Sequence, residues 1–125
     1  MSVILDAGAL IAVDRGAPSV IRHLELQRRS GAYLRTPAPV LAQVWRDGSI
    51  QARLAQYLTY VDVLSVDESH ARKAGALCAK SGTSDVVDAF VALAAEREDT
   101  ILTSDPDDLT RLADVRGHRV TIISI

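Results

Sequence analysis

Four aspartates are placed where carboxylates can do chemistry. Asp6 directly follows the apolar run Val3-Ile4-Leu5, and Asp105 follows Ile101-Leu102-Thr103-Ser104. Asp85 and Asp88 open a stretch rich in Val, Leu and Ala. Acids that close short apolar strands lie on the edge of a parallel sheet where ligands gather. A spacing of three puts Asp85 and Asp88 on one helical face, which Ala92 and Ala95 continue as a small-sided wall. Gathered carboxylates repel one another unless a cation joins them. An oxygen-only set without His or Cys favours a hard ion, Mg²⁺ or Mn²⁺. Such an ion keeps several waters, and one of these can be activated for in-line attack on a phosphodiester. Each acid also has a plainer role open to it. Asp6 suits the cap of a following helix, Asp85 the first turn of one, and Asp105 a turn before Pro106. Asp107 and Asp108 suit caps of a last helix, while Asp88 is the hardest to explain by structure alone.

The elements that must position these acids follow from hydrophobic patterning. Val3-Ile4-Leu5, Tyr33 to Thr36, Val61 to Leu64, Thr100 to Thr103 and Val120 to Ile123 read as strands. Helical patterns lie between them. A short one spans Ala9 to Val13, and Pro18 opens a longer one that Ser30-Gly31 ends. Pro37 and Pro39 start a helix that Asp47-Gly48 stops, and another runs from about Ile50 to Tyr57. Asp67 or Ser69 caps a helix reaching Lys80. Ser84 suits the N-cap of the next, which carries Val86, Val87, Phe90, Val91 and Leu93, and a short helix spans Leu109 to Ala113. Glu96, Arg97, Glu98 and Asp99 read as a solvated helix end. Strands alternating with helices predict an α/β fold, a three-layer α/β/α sandwich around a mostly parallel sheet of four to five strands.

Length and composition bound the answer. The 125 residues make one domain, 1–125, with 48% apolar residues but only 4% aromatics, so the core is built from Ala, Val, Leu and Ile. No apolar run approaches the ~20 residues of a membrane span, and Asp6 interrupts the N-terminus where a signal peptide would need an apolar stretch. Cys78 is the sole cysteine, which excludes an internal disulfide and Cys-rich zinc sites and predicts a cytoplasmic protein. His23, His70 and His118 fall in separate elements and are not expected as ligands or bases. The net charge of −2 carries no general signal for nucleic acid, although the basic residues are twelve Arg against two Lys, and Arg suits bidentate phosphate contacts.

Three segments in register resemble the PIN-domain family. V-I-L-D-A-G-A-L-I-A (3–12) is similar to its opening strand and first acid, D-V-V-D-A-F-V-A-L-A-A (85–95) to its central acidic helix, and T-I-L-T-S-D-P-D-D-L (100–109) to its late strand and acidic tail. The likeness covers essentially the whole chain, and among PIN proteins it most resembles a VapC-type toxin of a toxin–antitoxin pair. The resemblance implies Mg²⁺- or Mn²⁺-dependent endoribonuclease activity, with Asp6, Asp88 and Asp105 as catalytic and metal-site acids. Asp85 is a further metal ligand, and Asp108 a weaker one. Thr103 and Ser104 would orient the metal site or a phosphate. It also implies products with a 5′-phosphate and a 3′-hydroxyl, a homodimer, an RNA substrate, and a small VapB-like antitoxin whose tail lies across the site. Arg15, Arg35 and Arg46 fall near the presumed active edge and are expected to hold RNA phosphates.

One departure stands out. The family carries a Glu on the helix after the second strand, where P-A-P-V-L-A-Q-V-W-R (37–46) places Gln43. An amide is a poorer ligand than a carboxylate. Gln43 is therefore read as a holder of metal-bound water, with Asp85 replacing the missing charge. The alternative is a non-catalytic PIN-like module that binds RNA or an antitoxin without cutting. A receiver-type signalling domain is disfavoured, because Lys73 and Lys80 fall on or near a helix rather than at a strand end.

Overall fold

A computed structural model describes residues 1–125. Five strands form one sheet: β1 (Ser2–Leu5), β2 (Tyr33–Pro37), β3 (Val61–Leu64), β4 (Thr100–Thr103) and β5 (Thr121–Ser124). Their order is β3-β2-β1-β4-β5, and every neighbouring pair is parallel. The helices are α1 (Ala7–Asp14), α2 (Pro18–Arg29), α3 (Ala38–Val44), α4 (Ala52–Tyr57), α5 (Glu68–Ser81), α6 (Val86–Ala94) and α7 (Pro106–Arg116). Helices α2 and α4 pack with α1 in one layer; α5, α6 and α7 pack together in the other. Helix α3 touches both α1 and α6. This is the expected α/β/α sandwich.

Burial explains the strand order. Every residue of β1 and β4 is buried, whereas β3 and β5 are largely exposed. The most continuous apolar strands take the centre, covered on both faces, and the outer positions go to strands that carry Asp62, Thr121 and Ser124. Ile4, Leu5, Ile101 and Leu102 are fully or almost fully buried between Leu10, Leu24 and Leu54 of the first layer and Leu109 and Leu112 of the second. Connections leave β1 and β4 in opposite directions along the sheet. Between those two strands lies the switch point where an open parallel sheet offers a crevice at its carboxyl edge. Asp6 and Asp105 follow the strands on either side of it.

Several local expectations differ from the structure, among them the end of α3, which falls at Val44 rather than at Asp47-Gly48. Asp85, not Ser84, caps α6: its side chain accepts the Asp88 N–H at 3.1 Å. The last helix starts at Pro106, several residues before the apolar pattern begins, because proline is well suited to a first turn. Asp99 is not solvated. Helix α6 ends at Ala94, and the chain doubles back through Glu98 in the left-handed region (φ 68°). This buries Asp99 to 6% exposure, where its carboxylate accepts the N–H groups of Ser2 (2.8 Å) and Glu96 (2.9 Å). The charge run of four hid an internal tie between β1 and the β4 approach.

Candidate active site

The acids gather because they cap helices that start at one sheet edge. Asp6, Asp85 and Asp105 are the N-cap residues of α1, α6 and α7. Each helix N-terminus carries roughly half a positive charge, which offsets part of the repulsion among nearby carboxylates. Asp6 and Asp85 accept backbone N–H groups as caps, whereas Asp105 stands at the start of α7 without a side-chain cap bond, which leaves its carboxylate free to face Asp88 and Asp108.

Asp6 is 4% exposed and held from both sides. Its Oδ1 accepts the Ala9 N–H at 2.9 Å. Its Oδ2 accepts the Thr103 hydroxyl at 2.5 Å and the Ser104 N–H at 3.1 Å. The fully buried Thr103 hydroxyl in turn accepts the Asp105 N–H at 2.8 Å. One threonine thus ties the acid after β1 to the acid after β4. Thr103 and Ser104 both contact the Asp6 carboxylate.

Asp88, Asp105 and Asp108 form the open part of the site: each offers a carboxylate oxygen, and these atoms lie within 4.8 Å of one another. Asp108 points into the cluster rather than capping α7. Asp88 is half-buried, and its Oδ2 is buried with no hydrogen-bond partner. Its pKa is pushed up to about 7, first by desolvation and then by the charges of Asp85, Asp105, Asp6 and Asp108. Asp105 is also raised, by desolvation and by the hydrogen bond and charge of Asp108. An orphaned carboxylate oxygen among four other acids fits a hard divalent cation, and the donor set is all oxygen.

Gly8 makes the arrangement possible. A Cβ there would lie 2.2 Å from the Ser104 Oγ and 2.5 Å from its Cβ, so α1 meets the turn after β4 only because the residue has no side chain. Gly8→Ala is expected to cost about 1–3 kcal/mol by overpacking. It should also push Ser104 and the adjoining Asp105 out of place, so that cation-induced stabilisation falls further than the melt of the cation-free protein. Equal loss in both melts would count against the coupling.

The remaining expected residues sit elsewhere. Gln43 is exposed on α3 and makes no hydrogen bond within the acid cluster. A different glutamine has the structural work: Gln51 accepts from the Arg46 and Asp47 N–H groups and donates to the Val44 carbonyl. Arg15 is at the far end of α1 from Asp6. Arg46 folds back to donate to the Ala42 and Trp45 carbonyls. Arg35 lies within β2, 3.8 Å from Asp62 and over the Tyr33 ring. None of the three pairs with an acid of the cluster. The cation that does is Arg111, on α7, 3.8 Å from Asp108. In the sequence the apolar pattern of this helix begins only at Leu109, so Asp108 and Arg111 do not show as neighbours one turn apart.

Comparison with known proteins gives the same picture. The family model for the PIN domain matches residues 3–115. No curated protein sequence matches the chain significantly. Among solved structures, the chain is similar to one in the crystal structure of VapBC2 from Rickettsia felis bound to a DNA fragment from their promoter. The TM-score is 0.72 at 14% identity over 98% of each chain, a likeness of fold.

Proposed function

The chain belongs to the PIN domain family, and we propose that it is a metal-dependent endoribonuclease, the VapC-type toxin of a toxin–antitoxin pair. The observation that carries this reading is the partnerless buried Oδ2 of Asp88, set among Asp85, Asp105, Asp6 and Asp108. Asp88, Asp105 and Asp108 would hold Mg²⁺ or Mn²⁺, with Asp6 and Asp85 adding charge. Bound there, the ion would polarise the scissile phosphate and lower the pKa of an attacking water. The chain's own groups supply the frame. Thr103 and Ser104 fix the Asp6 carboxylate, and the N-termini of α1, α6 and α7 favour anionic charge at the edge where phosphate arrives. The similarity to a chain of the VapBC2 structure supports a small antitoxin as partner, and the reading takes the toxin to be a homodimer acting in the cytoplasm. No helix is long and apolar enough to cross a membrane.

Incubating the purified protein with total RNA, in Mg²⁺, in Mn²⁺ and in EDTA, tests this. Discrete fragments with 5′-phosphate and 3′-hydroxyl ends in either metal, absent in EDTA, are the expected result. Gln43, in the place of the family's glutamate, gives weight to a second reading. If folded, antitoxin-free protein retains RNA but yields no fragments in either metal, the domain is a binding module and the nuclease assignment fails.

A further inference from the structure

The acidic site has a charge problem that a metal alone does not solve. Five carboxylates surround it: Asp6, Asp85, Asp88, Asp105 and Asp108. An RNA backbone brings more negative charge to the same place. Four of the five acids have no arginine or lysine within ion-pair distance, and the fifth, Asp108, has Arg111. That contact is loose. At 3.8 Å it is an ion pair without a hydrogen bond, and it forms no second contact. The Arg111 side chain is 55% exposed, and its donors are unspent. Several other arginines are committed, Arg28 to Glu25, Arg72 to Glu68, Arg116 to the carbonyls of Ala92 and Ala95, and Arg46 to α3, and of the uncommitted ones Arg111 alone lies within ion-pair distance of the acid cluster.

Resting on the nuclease reading, we propose that Arg111 is the phosphate-binding residue of this site, a guanidinium that takes a backbone phosphate oxygen of single-stranded RNA when a cation occupies the acids. Without the cation, Arg111 is the counterion of Asp108. With it, the Asp108 charge is taken up by the metal, and the planar fork one helical turn along is released to phosphate, which it matches bidentately. Its place on α7 is fixed by the buried Leu109, Leu112 and Ala113, so the guanidinium starts from a rigid element beside the metal acids.

The test measures binding of a fluorescent oligouridylate in Ca²⁺ across a salt series, for the parent, Arg111→Ala and Arg111→Lys, with cation affinity followed separately by thermal shift. Arg111 is exposed, so equal melting in EDTA confirms folding. Arg111→Ala is expected to weaken binding several-fold and to flatten the slope of log K against log salt by about 0.7, the share of one phosphate contact on a single strand. Arg111→Lys should restore the slope but not the full affinity. Cation affinity should be unchanged or higher in Arg111→Ala, because Asp108 loses a competitor. An unchanged slope beside a clear change in cation affinity would show Arg111 to be only the counterion of Asp108 and overturn the proposal. If the parent itself shows no salt-dependent RNA binding, the nuclease reading fails and the Arg111 assignment goes with it.

Discussion

In Asp88→Asn, RNA cleavage is expected to fall at least about a hundredfold, the scale of losing one electrostatic group aimed at the reacting phosphate, while the cation-free protein is expected to become more stable. The second half of this result separates a functional acid from a structural one. Asp88 carries a buried oxygen with no partner and a pKa raised from 3.8 to about 7. A carboxyl raised on folding binds its proton more tightly in the native state. Stability therefore falls as pH climbs from about 4 to about 7, and the full cost is present above that range. Roughly three pKa units set an upper bound near ~4 kcal/mol, which solvent at a half-exposed group reduces to on the order of 2 kcal/mol. Thermal melts in EDTA should thus show the parent gaining stability from pH 8 to pH 5.5, and Asp88→Asn showing a smaller gain from a higher start. A mutant that cuts RNA at the parent rate would remove Asp88 from the site. A mutant that melts lower at pH 8 would make Asp88 a structural residue.

Asp6→Ala is expected to act in the opposite sense on stability. It removes the α1 cap, worth ~1 kcal/mol, and strips the acceptor from the buried Thr103 hydroxyl and the Ser104 N–H. Ser104 is exposed and can turn to water, but the stranded Thr103 hydroxyl is fully buried and costs about 1–3 kcal/mol, so the total is on the order of 3 kcal/mol, read from urea denaturation. Cleavage is lost as well. Asp6→Asn retains the cap but turns one acceptor into a donor facing Ser104, so its stability lies between alanine and the parent. If Asp6→Ala melts like the parent, the tie between β1 and β4 is not the one described.

The alternation of apolar runs and helical patterns was enough to give the sandwich and all five strands: β1 and β4 are apolar because both their faces are covered, and the outer strands still stand out as short β-branched runs between helical patterns. The acids on the edge were equally legible: each follows a strand or opens a helix, and position in the chain settles which edge that is. Side-chain direction was harder. Asp99 sits in a charge run that looks solvated, and only the reversal at Glu98 reveals its inward turn. Asp108 read as a cap because three acids crowd the start of α7, where sequence cannot say which one turns to Asp88. The arginines' partners were hidden for a related reason. Arg46 and Arg35 are close to the right edge along the chain, but their long side chains reach back to α3 and across to Asp62. The importance of Gly8 lies in a contact with a residue from the other end of the chain, which no local pattern contains.

The hydrogen bond from Thr103 to Asp6 joins residues 97 positions apart, and it closes the centre of the sheet. Strand β1, made first, has its second neighbour only in β4, made nearly last. Sheets built from such distant pairings form slowly. A chain still being synthesised has Asp6 in hand but neither Asp105 nor Asp108, and no rigid edge on which to hold Asp88. The order of strands makes the acid cluster a late product of folding, complete only when β4 has docked beside β1.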